Sequence, residues 1–172
     1  MGQVFHTIEP VFDKNSRALI LGTMPSPKSR EEGFYYAHPQ NRFWPVLAAV
    51  FNERTPIGTE ERKSFAKKHG IALWDVLASC DIEGAADSSI KNPVPNDIAR
   101  LISETEIKSI FTTGGTAYRL YNRYCADKTG IKAVGLSSTS AANARMKLDE
   151  LVREYRVIYD AVNRQGGLSV EE

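Results

Sequence analysis

The sequence holds little of what most site chemistries require. Among 172 residues there are two cysteines, Cys80 and Cys125, and three histidines, His6, His38 and His69. Two distant thiols form no C-x-x-C pair and no disulfide framework, and they fit a reducing compartment. The histidines have no partner at metal-ligand spacing, so no metal is expected. The chain has no G-x-x-x-x-G-K-[ST] phosphate loop, no G-x-G-x-x-G turn and no G-x-S-x-G elbow. The H-x-E and P-C-x-x-C pair of a zinc deaminase is missing as well. No apolar run reaches the ~18–20 residues of a membrane span. The first ten residues have neither the basic start nor the apolar core of a secretion signal. The expectation is a cytoplasmic chain that works without membrane, metal or cofactor, by placing ordinary polar groups.

Composition adds an ordinary globular background. The chain is 42% hydrophobic and 25% charged, with a net charge of +1. That balance argues against a nucleic-acid binder acting through bulk charge and leaves room for a local basic face. The length suits one domain, expected over residues 1–165, with residues 166–172 as a tail.

Apolar runs and glycine-bearing turns alternate along the chain. Strands are expected over residues 17–24, 71–76, 107–112 and 131–136, and helices over residues 42–51, 59–68, 95–103, 116–124 and 143–162. Pro45 is tolerable only in a first helical turn, which places that helix start near Asn41. Residues 79–95, polar and small, read as a long loop. This alternation predicts an α/β chain with a parallel sheet covered by helices on both faces. Residues 22–27, 113–116 and 137–140 each follow a predicted strand. They should therefore meet at one edge of the sheet, where open α/β sheets place ligands.

The richest segment joins Leu19-Ile20-Leu21-Gly22-Thr23-Met24-Pro25-Ser26-Pro27 to Gly33-Phe34-Tyr35-Tyr36-Ala37-His38-Pro39-Gln40-Asn41-Arg42-Phe43-Trp44. A strand, a turn and an aromatic loop ending at a helix start suit a flat ring such as a nucleobase. This segment resembles the uracil-DNA glycosylase superfamily, closest to its hypoxanthine-DNA glycosylase branch and related to the mismatch-specific uracil enzymes. Leu136-Ser137-Ser138-Thr139-Ser140-Ala141-Ala142-Asn143-Ala144 resembles the second superfamily motif, and Trp74-Asp75-Val76-Leu77-Ala78-Ser79-Cys80 also resembles the hypoxanthine branch. The resemblance implies a three-layer α/β/α sandwich around a short, mainly parallel four-stranded sheet. It implies a monofunctional enzyme that cleaves the N-glycosidic bond of a base flipped out of DNA, as a monomer and near the nucleoid in a prokaryote.

Residue roles follow from the resemblance. Met24 stands where the mismatch uracil enzymes carry a water-aligning Asn, and no histidine lies between Leu136 and Asn143. Both departures favour hypoxanthine over uracil as the substrate. Asn41 is the expected catalytic residue, and a plain helix cap on Phe43 or Trp44 is its alternative. Gly22, Thr23, Met24 and Pro25 would shape the base site. Tyr36 would stack on the base, with Phe34 and Tyr35 competing for that role. Ser26, Lys28, Gly114, Gly115, Ser138, Thr139, Ser140, Asn143 and Arg145 would contact DNA, and Arg42 would join a basic rim. The competing caps are Ser140 or Asn143 at the start of the last helix. A mismatch-type uracil enzyme and a non-catalytic lesion binder remain the alternatives.

Overall fold

The computed structural model describes the backbone of residues 2–171 and the side chains of residues 2–163. The tail expected over residues 166–172 lies outside the residues described with side chains. Two sheets organise the chain. Strands β2 (Ala18–Gly22), β3 (Ile71–Asp75), β6 (Ser109–Thr113) and β7 (Ala133–Leu136) form a parallel sheet in the order β3-β2-β6-β7. Strands β1 (Gly2–Phe5), β4 (Leu77–Ile82) and β5 (Lys91–Pro95) form an antiparallel sheet in the order β1-β4-β5.

The period of two in β2 builds the layers. Ala18 and Ile20 face one core, with Phe43, Leu47, Phe65, Leu151 and Tyr155. Leu19 and Leu21 face the other, with Leu77, Ile98, Leu101, Ala117 and Tyr121. Helices α2 (Phe43–Val50), α3 (Gly58–Lys68) and α7 (Leu148–Glu171) therefore cover one face of the parallel sheet, and α4 (Ile98–Ser103) and α5 (Gly115–Tyr124) cover the other. The short helices α1 (Pro27–Glu32) and α6 (Ala126–Thr129) complete the chain. This is the α/β/α sandwich with a four-stranded parallel sheet that the sequence predicts.

Three expected elements are corrected. The loop expected over residues 79–95 folds mostly into β4 and β5, because Leu77, Cys80 and Ile82 are buried while backbone groups on both sides find strand partners. Pro95 does not open a helix. It ends edge strand β5 opposite Leu77, a place that tolerates a missing N–H, and Asp97 caps α4 instead. The last helix starts at Leu148, not at Asn143. The carbonyls of Ser140, Asn143 and Met146 turn onto the Arg42 guanidinium, so residues 140–146 are spent on a tertiary clamp.

Candidate functional site

Four parallel strands end at one rim, and the ends carry the polar residues. Gly22 ends β2, Asp75 ends β3 and Thr113 ends β6. All three line a cavity of about 120 Å³, on the scale of a single nucleobase. Thr23, Met24, Pro25, Ser26, Tyr36, Asn41 and Asp87 also line it, with Ser29 and Tyr35. The segment after β7 reaches it indirectly, through Thr139.

Asn41 is the most constrained polar group here. Its Oδ1 accepts the Phe43 N–H at 2.9 Å and the Thr139 hydroxyl at 2.8 Å. The atom facing a backbone N–H must be the oxygen, because that N–H can only donate. Both lone pairs of Oδ1 are thus filled. Among the described residues nothing partners Nδ2, so the polar function Asn41 has left for the cavity is a donor. The cap expected of Asn41 is present, on Phe43, and it serves to orient the rest of the amide.

Tyr35 and Tyr36 both line the cavity, and Tyr36 is the less buried of the two. Phe34 and Tyr35 are each 2% exposed. The Tyr35 hydroxyl donates to the carbonyls of Ile8 and Glu9, and the Trp44 indole N–H donates to the Tyr35 carbonyl. Tyr36 instead stacks one ring face on Phe43, with centroids 3.8 Å apart and planes 15° from parallel. Its hydroxyl lies 3.3 Å from Thr113 Oγ1. The residue also lines the base-sized cavity. Its backbone sits at φ 53°, a left-handed conformation rare for tyrosine, and such residues cluster at ligand sites.

One carboxylate–imidazole pair in this site could not be read from the sequence. Asp75 is 3% exposed, and its Oδ2 lies 2.8 Å from His6 Nε2. The histidine arrives from the segment after β1. Oδ1 of Asp75 faces the bare Cα of Gly22, where an added Cβ would come within 2.6 Å of it. The same Cβ would come within 3.3 Å of the Tyr36 hydroxyl. Gly22 therefore leaves room for a carboxylate and a phenol to converge. Burial, reinforced by the Asp75 charge, pushes the Tyr36 phenol well above its ordinary value, so it stays protonated at neutral pH. The sequence signal for Asp75 is its place at the end of an apolar strand, level with Gly22.

A second, outer cleft of about 700 Å³ shares Met24, Pro25, Ser26, Asn41 and Asp87 with the base-sized cavity. Ser138, Ser140 and Asn143 line it, as does His38, whose Nδ1 accepts the Gln40 N–H. Ser26 also caps α1, accepting the Ser29 N–H at 3.1 Å. Other expected DNA contacts fall elsewhere. Thr139 is 1% exposed, so a phosphate cannot reach it, and its hydroxyl is spent on Asn41. Arg42 is no rim cation. Its guanidinium donates to the carbonyls of Thr139, Ser140, Asn143 and Met146, which fixes the 139–146 segment against Asn41. Lys28 pairs with Glu31 and Glu32 and lines neither space. Gly114, Gly115 and Arg145 line neither space, although Gly114, at φ 89°, opens α5 beside Ser138.

Comparison with known proteins gives a consistent result. A sequence model described as the uracil DNA glycosylase superfamily matches residues 9–158. A protein named hypoxanthine DNA glycosylase from Methanosarcina barkeri is 37% identical over 93 residues, covering 54% of this chain and 59% of that protein. A namesake from Methanosarcina acetivorans is 37% identical over 92 residues, covering 53% and 58%. The chain thus spans under two thirds of the length of these curated relatives. A solution NMR structure from Methanosarcina acetivorans, described as a candidate uracil DNA glycosylase, superposes with a TM-score of 0.75 at 28% identity. The match covers 90% of this chain and 98% of the other.

Proposed function

The chain belongs to the uracil DNA glycosylase superfamily, and from that premise we propose that it hydrolyses the N-glycosidic bond of a deaminated base flipped out of DNA, hypoxanthine foremost. The observation that carries this reading is the pairing of an acceptor and a donor in one base-sized cavity: Asp75 Oδ1 and Asn41 Nδ2. Deamination turns an exocyclic amino group into a carbonyl and gives the neighbouring ring nitrogen an N–H. Adenine and cytosine present a lone pair at that nitrogen, whereas hypoxanthine and uracil present a donor. An ionised carboxylate only accepts, so Asp75 favours the deaminated ring and leaves adenine mispaired. Tyr36 supplies the stacking wall, worth on the order of 1–3 kcal/mol per base.

Bond cleavage builds negative charge on the departing base. A donor already fixed in place stabilises that charge without reorganising, and Asn41 Nδ2 is such a donor. With Oδ1 filled, Asn41 takes no proton from water, so it acts by alignment and charge, not as a general base. Among the described residues lining the cavity there is no lysine to form a Schiff base, which supports simple hydrolysis over lyase chemistry. The relatives' name supports hypoxanthine over uracil, and so does the apolar Met24 at the cavity wall.

Single-lesion duplexes carrying deoxyinosine, deoxyuridine or deoxyxanthosine test the reading. Release of free hypoxanthine, leaving an abasic strand that breaks only in alkali, is expected. Product from deoxyuridine alone rejects the substrate. Retention of lesion DNA with no product from any duplex rejects the enzyme.

A further inference from the structure

We propose that the groove between α5 and strand β5, which shares Asp87 with the outer cleft, carries the DNA backbone on one flank of the lesion. This rests on the glycosylase reading above. The groove encloses about 600 Å³ and holds Lys91, Arg119, Arg123 and Tyr124. Asp87 lines this groove, the base-sized cavity and the outer cleft, so the three spaces adjoin around one residue.

Helical spacing builds one wall. Thr116, Arg119 and Arg123 stand at i, i+3 and i+7 on α5, and such positions share a face. Arg119 Nη2 donates to Thr116 Oγ1 at 3.2 Å, which holds the guanidinium near the start of the helix. The Arg123 guanidinium lies 5.4 Å from the centre of the Tyr124 ring. Lys91 faces them from β5.

Lining charge singles this groove out: of the three spaces that share Asp87, it alone has lysine or arginine among its described lining residues. Lys28, Lys68, Arg100 and Arg153 each sit beside a carboxylate. Among the described residues, Lys91, Arg119 and Arg123 form no ion pair. Among the described residues, no lysine or arginine lines the outer cleft, and Arg42 is consumed by backbone carbonyls. A strand whose base enters the central cavity must leave it on two sides. On one side it meets neutral serines and Asn143. On the other it meets Lys91, Arg119 and Arg123, cations that suit phosphates and read no sequence. Asp87 opposes this at the junction. Its carboxyl is shifted toward the neutral form, first by desolvation and further by the Asp75 charge, while Arg119 pulls the other way.

The test is the salt dependence of binding to a deoxyinosine duplex. Arg119→Gln with Arg123→Gln should make the slope of log affinity against log salt shallower by about 2, and Lys91→Gln, on a different element, by about 1. A charge-matched control, Arg100→Gln with Arg153→Gln, should keep the wild-type slope. Trimming one flank of the lesion strand to a few nucleotides should erase the difference between wild type and the Arg119/Arg123 variant. An unchanged slope in that variant, an equal loss in the control, or a difference surviving both flank truncations overturns the groove. Failure of the glycosylase reading shows separately, as wild-type protein that binds these duplexes and releases no base.

Discussion

The Thr139 hydroxyl reaches across 98 positions of chain to donate to Asn41 Oδ1 at 2.8 Å, the same oxygen that accepts the Phe43 N–H at 2.9 Å. Two motifs far apart in sequence thus meet in one amide. Thr139→Val keeps the buried shape and removes one of the two anchors. The expected result is a loss of about 1 kcal/mol of stability and a fall of about tenfold in single-turnover release of hypoxanthine, through looser aim of Nδ2. Thermal melting and rapid-quench assays measure the two effects. An unchanged rate would show that Thr139 does no positioning.

Asp75 is expected to set the choice of base. Asp75→Asn keeps the size and can still engage His6, and it replaces a charged acceptor with a neutral amide. A hydrogen bond to a charged group contributes roughly 1.5–3 kcal/mol. Excision from deoxyinosine should therefore fall by about 10- to 100-fold, with narrower discrimination against deoxyadenosine. Competition between the deoxyinosine strand and its deoxyadenosine counterpart in one tube measures the ratio directly.

Gly22→Ala tests the convergence on the β2 tip. The new Cβ would lie 2.6 Å from Asp75 Oδ1 and 3.3 Å from the Tyr36 hydroxyl. Side-chain ends can yield where backbone cannot, so the protein should fold, at a cost of about 1–3 kcal/mol. Base release should drop by at least about tenfold, because both displaced groups face the cavity. A crystal structure of the variant with Asp75 and Tyr36 unmoved would contradict this.

Stability should fall in alkali. Burial raises the thiol of Cys125 from 9.0 to about 11, and it raises Cys80 and the phenols of Tyr35, Tyr36, Tyr121 and Tyr155. The folded chain holds these protons more tightly than the unfolded chain. Their contribution is complete below about pH 9 and is lost as the pH rises toward 11 and above. Melting curves at pH 8 and pH 10.5 should show the decline. The same burial should keep both thiols unreactive toward iodoacetamide at pH 8 until the chain is unfolded.

The sandwich and the shared rim were legible because they rest on local signals. Apolar runs in β2, β3 and β6 end in residues of another kind, and Pro45 marks the start of α2. Helix α1 was not among the expected helices, although Ser26 followed by Pro27, a cap and a first-turn proline, is a helix start. Tertiary contacts hid the rest. Strand β4 carries Ser79 and Asp81 among its apolar residues, and only pairing with β1 and β5 makes it a strand. Asn143 resembles a helix cap, but the Arg42 clamp holds its carbonyl elsewhere. Asp75 looks like the end of a strand until His6, 69 positions away, is seen to bind it.

Asn41→Asp decides between cap and chemistry most directly. The aspartate keeps an oxygen for Phe43 and Thr139, so capping survives, and it replaces the Nδ2 donor with an acceptor. Single-turnover release of hypoxanthine from a deoxyinosine duplex, measured beside the melting temperature, is the experiment. A melting temperature close to wild type with a rate lower by on the order of 10²-fold or more is the expected result. A variant that releases hypoxanthine at the wild-type rate would contradict the donor role of Asn41.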